Sequence, residues 1–247
     1  MKNEQEQWFN WDNGLSNIIR SYFTDLFSSR GCEGNAVFRC VRRKVSEVQN
    51  QELTRPFEAQ EIKDALFSMH PDKAPRPDGM NPGFFQNYWD VVSDDVTAAC
   101  LFNLNNGVMP SGLNSTSIVL VPKVNSPERM SDLRPISLCN VIYKIMAKAV
   151  ANRLRIIIPS IISDTQSAFI HGRSITDNAM IAFEIGHYLK RKRQGKTGVA
   201  ALKIDMSKAY DRIEWNFLRQ MLIALGFDSS WVELIMLCVT IVEYMVI

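Results

Sequence analysis

Apolar residues at Leu15, Ile18, Ile19, Tyr22, Phe23, Leu26 and Phe27 recur three and four apart, the spacing of one helix face, and Ser28 to Gly34 interrupts it. The same period predicts a helix from about Ala59 to Met69, carried by Ile62, Ala65, Leu66 and Met69. From Pro71 to Gly83, proline and glycine are too dense for a periodic element, and an ordered loop is expected. Phe84 to Leu104 reads as helix, split at Ser93-Asp94-Asp95, where helix capping accounts for the acidic pair. Thr116 to Val121 predicts a strand, ended by Pro122 and Lys123, with a polar loop from Asn125 to Arg134. A long helix is expected from Ser137 to Ile158: Ile142, Ile145, Met146, Ala149, Val150 and Leu154 form its apolar side, and Pro159 follows it. Lys144, Lys148 and Arg155 share the opposite face, with Arg153 nearby. Ser163 to Asn178 reads as loop and turn and Ala179 to Lys190 as helix, while Met1 to Gly14 reads as a polar, frayed end.

The pattern changes most sharply after Lys196. Val199, Ala200, Ala201, Leu202 and Ile204, broken only by Lys203, predict a mostly buried strand that ends in the carboxylate of Asp205. Beyond it Ile213, Phe217, Leu218, Met221, Leu222 and Leu225 return to helical spacing, with Gly226 as the stop. A strand that delivers one acidic side chain to its end, just before a helix, is a rigid platform for a metal ligand. An isolated aspartate there would more simply cap the helix. Asp211 is expected inside that helix as a structural residue, near Arg212 and Lys208.

Composition narrows the class without naming a function. The 247 residues, 46% hydrophobic and 22% charged, suit one large soluble domain or two modest ones. The net charge of +2 is unevenly spread: residues 1–120 hold 11 basic against 15 acidic side chains (−4), and residues 121–247 hold 17 against 11 (+6). The window Arg134 to Arg219 alone holds 15 against 6 (+9), which suits a polyanionic partner, although a solvated basic face is the plainer explanation. Five scattered cysteines (Cys32, Cys40, Cys100, Cys139, Cys238) show no metal spacing and read as reduced thiols of an intracellular protein. The polar start argues against a signal peptide, and Trp231 to Ile247, interrupted by Glu233 and Glu243, is too short to span a membrane comfortably.

Asp205-Met206-Ser207-Lys208-Ala209-Tyr210-Asp211-Arg212 resembles the first catalytic motif of reverse transcriptases from LINE-type (non-LTR) retrotransposons. Upstream and in the same order, Leu133-Arg134-Pro135-Ile136-Ser137-Leu138-Cys139-Asn140 and Gln166-Ser167-Ala168-Phe169-Ile170-His171-Gly172-Arg173 resemble that family's preceding motifs. Lys73-Ala74-Pro75-Arg76-Pro77-Asp78-Gly79 and Val121-Pro122-Lys123 fit as well, and the resemblance runs from about Trp8 to the last residue. The family usually has glycine where Arg76 stands; Pro77 already biases that position to extended geometry, which arginine tolerates.

The resemblance implies a helix-rich α/β (α+β) fold. It has a helical extension (1–57), the fingers of a right-hand polymerase (58–198), and an incomplete palm with an antiparallel sheet (199–247). It also implies an RNA template, a DNA primer and deoxynucleoside triphosphates as partners, an intracellular location, nuclear or cytoplasmic, and Mg²⁺ or Mn²⁺ as cofactor. Nucleotide addition uses two ions roughly 3.5–4 Å apart, and by resemblance Asp205 and the Met206 carbonyl contribute to holding them. Lys123 and Arg134 would grip the triphosphate, arginine doing so through its planar fork. The Tyr210 ring would clash with a ribose 2′-hydroxyl and so select deoxynucleotides. Gln166, Phe169 and Arg173 lie where the family contacts the template, and Lys144, Lys148 and Arg155 could touch the nucleic-acid backbone.

No Tyr- or Phe-x-Asp-Asp sequence follows Asp205 before Ile247. The expectation is therefore a catalytically incomplete polymerase fragment that binds metal weakly or not at all and self-associates through unpaired palm strands. The competing expectations are a non-catalytic nucleic-acid-binding module built on residues 134–219, and an enzyme completed by a separately encoded palm and thumb.

Overall fold

The computed structural model describes residues 1–247 except 4, 30, 32–34, 76, 77, 193, 194, 196, 207 and 247. In chain order its elements are α1 (Leu15–Phe27), α2 (Asn35–Cys40), α3 (Glu47–Thr54), α4 (Ala59–Phe67), α5 (Pro82–Asn87), α6 (Trp89–Asn106), β1 (Ser115–Pro122), β2 (Leu133–Leu138), α7 (Val141–Ile161), α8 (Ile175–Arg191), α9 (Trp215–Leu225), α10 (Ser229–Thr240) and β3 (Glu243–Val246). Helix starts follow local chemistry. Ser46 and Gln49 form a reciprocal capping box at α3, and Asn81 caps α5 ahead of Pro82. Asn140, the last residue of the Leu-Cys-Asn motif, caps α7 by accepting from the Ile142 amide.

Two apolar cores hold most of these elements, while α8 buries none of its residues. The smaller lies between α1 and the sheet: Leu15, Ile19 and Phe23 close over Ile118 and Met130, with Leu120, Leu133 and Val246 at the margin. β1 is the middle strand. β2 pairs with it antiparallel, from Ser117 opposite Leu138 to Pro122 opposite Leu133, and β3 pairs with it parallel, from Ser115 opposite Glu243. The larger core is helical, drawing on α3, α4, α6, α7, α9 and α10, and leaves Leu53, Ile62, Leu66, Cys100, Ile145, Met146 and Trp231 at most 2% exposed. Each such side chain contributes about 1.5–3 kcal/mol of burial.

One charged side chain is fixed inside this helical core. Arg153, 5% exposed, grips both carboxylate oxygens of Glu61 at 2.8 Å and donates to the carbonyls of Leu53, Arg55 and Pro56. Its guanidinium lies 3.5 Å from the Phe57 ring centroid. It clamps α7 to the α3–α4 connection and does not join the basic face beside which the sequence pattern placed it.

Several expectations are corrected. The strand expected at Val199–Ile204 does not form: residues 199–206 are irregular, with Leu202 85% and Ile204 81% exposed. An apolar run becomes a strand only with ladder partners, and both edges of β1 are already taken by β2 and β3. The sheet is mixed rather than antiparallel. The helix break falls at Tyr88, not at Ser93, and Asp94 and Asp95 lie on the solvent side of α6, so they cap nothing. Ser137 belongs to β2, and α7 runs past Pro159 to Ile161. Asp211 precedes α9 instead of lying within it. Met1 to Gly14 is tied down: the Met1 ammonium donates to the Phe9 carbonyl at 2.7 Å, and the Lys2 amide to the Glu128 carbonyl at 2.6 Å. No helix among the described residues is long and apolar enough to cross a membrane.

Candidate functional site

The residues singled out by sequence fall into four places. The first is the turn end of the β1–β2 ladder. Val121 faces Arg134 across the ladder, and Lys123, two residues beyond Val121, falls on the same face by the strand's alternation. The Lys123 amide continues the ladder to the Asp132 carbonyl at 2.8 Å, and its ammonium donates to the Ser131 carbonyl at 2.7 Å. The connecting turn is fixed by Asp132, whose carboxylate accepts from the Arg129 and Glu128 amides; these two bonds hold its pKa below the ordinary carboxylate value. Two cations thus stand together on an exposed hairpin end.

The second place is a cleft of about 410 Å³ between α7 and the loop after it, lined by Lys148, Asn152, Arg155, Ile158, Phe169 and His171 among others. Lys148 and Arg155 lie two turns apart on α7, and Phe169 is 87% exposed with a φ of 63°. The Phe169 ring meets the Tyr210 ring edge-on, centroids 5.8 Å apart. Two aromatics assigned by resemblance to template and sugar are therefore in contact, beside a basic cleft. Lys144, one turn before Lys148, is half-buried and does not line it. Sequence reasoning gave no role to Asn152 and His171; the signals were there, since Asn152 lies one helical turn from both Lys148 and Arg155, and His171 sits two residues beyond Phe169.

The third place is the loop from Ser163 to Arg173. Here Arg173 donates to the carbonyls of Ser163 (2.5 Å) and Gln166 (2.6 Å) and pairs with Asp164 at 3.5 Å. Gln166 donates to the Ala168 carbonyl at 3.1 Å. Both side chains hold the loop that presents Phe169, and the Arg173 side chain is only 19% exposed.

The fourth place is the segment carrying Asp205. Asp205 and Met206 sit in exposed, irregular chain, Met206 being 65% exposed. After it the Arg212 amide bonds the Lys208 carbonyl at 3.2 Å, forming the turn that bears the 67%-exposed Tyr210. Residues 211–215 face the end of α1 across a cleft of about 320 Å³ that also includes Asp25 to Ser29. Arg76 and Ser207 lie outside the described residues.

Residues 121–245 match the family described as reverse transcriptase (RNA-dependent DNA polymerase). The chain belongs to that family. The matched span begins at the hairpin cations and includes the basic cleft, the Phe169 loop and the Asp205 segment. This reverse transcriptase chain is also similar to the transposon TX1 uncharacterized 149 kDa protein of Xenopus laevis, at 30% identity over 217 residues, covering 86% of this chain and 16% of that protein. The chain therefore spans about a sixth of that relative's length.

The family implies a divalent metal. In this reverse transcriptase chain, no three His, Cys, Asp or Glu side chains among the described residues stand together in a way that could hold a metal ion. Asp205 offers one exposed carboxylate and Met206 a backbone carbonyl. Two shared ions need more acidic oxygen than that, so these residues as arranged do not fit the group.

Proposed function

We propose that this chain is the fingers (58–198) and the beginning of the palm (199–247) of a LINE-type RNA-directed DNA polymerase, preceded by a helical extension (1–57). Its partners in that reading are an RNA template, a DNA primer and deoxynucleoside triphosphates. The supporting observation is the meeting of Phe169 with Tyr210 beside Lys148, Arg155 and His171. Lysine and arginine neutralise phosphates, and the exposed ring gives a base a face to stack on. Lys123 and Arg134 at the turn end of the hairpin supply charge of the kind that binds a triphosphate. Without further carboxylates the 247-residue chain should bind nucleic acid yet not extend a primer.

A second reading, a nucleic-acid-binding module with no chemistry of its own, is favoured by one contrast: the cleft is assembled, while Asp205 has no cluster of metal-holding side chains around it among the described residues. Two measurements separate the readings. In primer extension with Mg²⁺ and deoxynucleotides, a longer form carrying the rest of a polymerase should give product that Asp205→Asn abolishes; product that survives this substitution sinks the catalytic reading. In anisotropy titrations with single-stranded RNA, Lys148→Ala with Arg155→Ala should flatten the slope of log affinity against log salt by about 1.4, or about 0.7 for each phosphate left without its cation. An unchanged slope removes the cleft from either account.

A further inference from the structure

The segment bearing Asp205 is held to the rest of the protein in an unexpected way. Among the described residues from Thr197 to Tyr210, every one is exposed except Lys208. The Lys208 ammonium lies 4.2 Å from the centroid of the Tyr22 ring and also hydrogen-bonds the Tyr22 hydroxyl. Tyr22 is on α1, next to Phe23, which is buried on the sheet, and the two rings meet edge-on at 5.3 Å. Lys208 is also one of three non-glycine residues, among those described, with a positive φ, at 53°. A left-handed lysine backbone is disfavoured and persists where the surroundings dictate it. A second tether follows, the Ser29 hydroxyl donating to the Glu214 carboxylate at 2.6 Å. The turn from Asp205 to Glu214 is thus fastened at two points to α1 and its immediate exit.

We propose that Tyr22 is a positioning residue: by holding the Lys208 ammonium over its ring it sets the turn that carries Asp205 and Tyr210, and the N-terminal helix becomes a working part of the polymerase half-site. The role rests on the polymerase reading; the contact itself does not. Lys208 is suited to the task because an ammonium on a four-carbon stem reaches an aromatic face while its backbone forms the turn. α1 is suited because Leu15, Ile19 and Phe23 already anchor it to the strand that leads to Lys123. One helix therefore touches the strand leading to the hairpin cations and also the loop that carries Asp205.

Trypsin tests the contact with an internal reference. The exposed Lys203 and the half-buried Lys208 lie in the same segment, so the ratio of cleavage at the two sites reports the grip on Lys208 independently of overall stability. Cleavage from a transiently open state follows its population, and a half-buried cation–aromatic contact changes that population about fivefold. The Lys203–Ile204 bond should be cut at least about five times faster than Lys208–Ala209. Tyr22→Ala should bring the two rates together, and Tyr22→Phe, which keeps the ring, should preserve most of the difference. Equal rates in the unaltered chain, or a ratio indifferent to Tyr22→Ala, would overturn the proposal. A ratio lost equally in Tyr22→Phe and Tyr22→Ala would overturn the aromatic grip. Far-UV dichroism on each variant shows whether α1 has melted, and the salt and primer-extension measurements decide the polymerase reading separately.

Discussion

Replacing Arg153 by methionine is the sharpest test of how the helical core is built. The guanidinium makes five hydrogen bonds, two to Glu61 and three to main-chain carbonyls, while stacked on Phe57. Removing Arg153 leaves Glu61 with only the more exposed Arg55, 3.3 Å away, and strips three main-chain carbonyls of their donor, a loss of about 3–5 kcal/mol. In urea, with a slope of about 2–3 kcal/mol per molar, the unfolding midpoint should fall by about 1–2 M. Arg153→Lys should lie between, since an ammonium cannot reproduce the fork. The pH dependence should also weaken. Burial raises the Glu61 pKa, but its bond to Arg153, the Glu58 amide and the charges of Arg153 and Arg55 together hold it below 4.5. Stabilisation from this group is therefore complete above about pH 4.5 and lost as pH falls through the lower folded value. Without Arg153, Glu61 keeps only the Glu58 amide and Arg55 against its burial, so its folded pKa rises toward the unfolded one and the variant loses less stability on acidification. A midpoint shift below about 0.4 M, or an unchanged acid slope, would refute the clamp. A loss of nucleic-acid affinity at unchanged stability would instead return Arg153 to the basic face.

Gly226 ends α9 with a φ of 93°, and a Cβ there would stand 2.4 Å from the Arg43 Cγ, so Gly226→Ala should cost about 2 kcal/mol or more by urea melting, whereas Gly107→Ala, with φ 61° and open space around it, should cost about half as much. The buried Cys100 thiol is pushed up to about 12 and Cys238 to about 11, so thiol labelling at pH 8 should modify exposed Cys40 promptly and those two only after unfolding; rapid labelling of Cys100 in the folded state would contradict its burial. β3 forms an outer edge of the sheet with Met245 59% exposed, so Met245→Lys should lower any concentration-dependent association seen by light scattering.

Elements governed by their own residues were legible in the sequence. α1 has the expected bounds, β1 extends the expected strand by one residue at each end, and Gly226 stops α9 as its left-handed geometry requires. The failures share a physical cause, dependence on distant partners. Leu202 and Ile204 carry strand-like side chains but have no ladder to join. Leu133–Leu138 is a strand despite Pro135, because an edge strand tolerates a missing donor. For the site, residue types and motif order located Phe169, Tyr210, Lys148 and Arg155, which the fold brings together. No periodicity could show that Arg153 turns inward or that Tyr22 reaches Lys208, since each of those contacts spans on the order of a hundred residues or more.

Pairing β3 beside β1 sets an order of events during biosynthesis. Ser115 meets Glu243 only after the whole helical core has been made, and the Tyr244 ring then stacks on Phe27 while Val246 joins the Ile118 cluster. Until those residues leave the ribosome, one flank of β1 and part of the α1 face stay uncovered. Closing so long a loop late is slow and invites mispairing with neighbouring chains. A nascent polypeptide of this kind should lean on chaperones until that strand is in place.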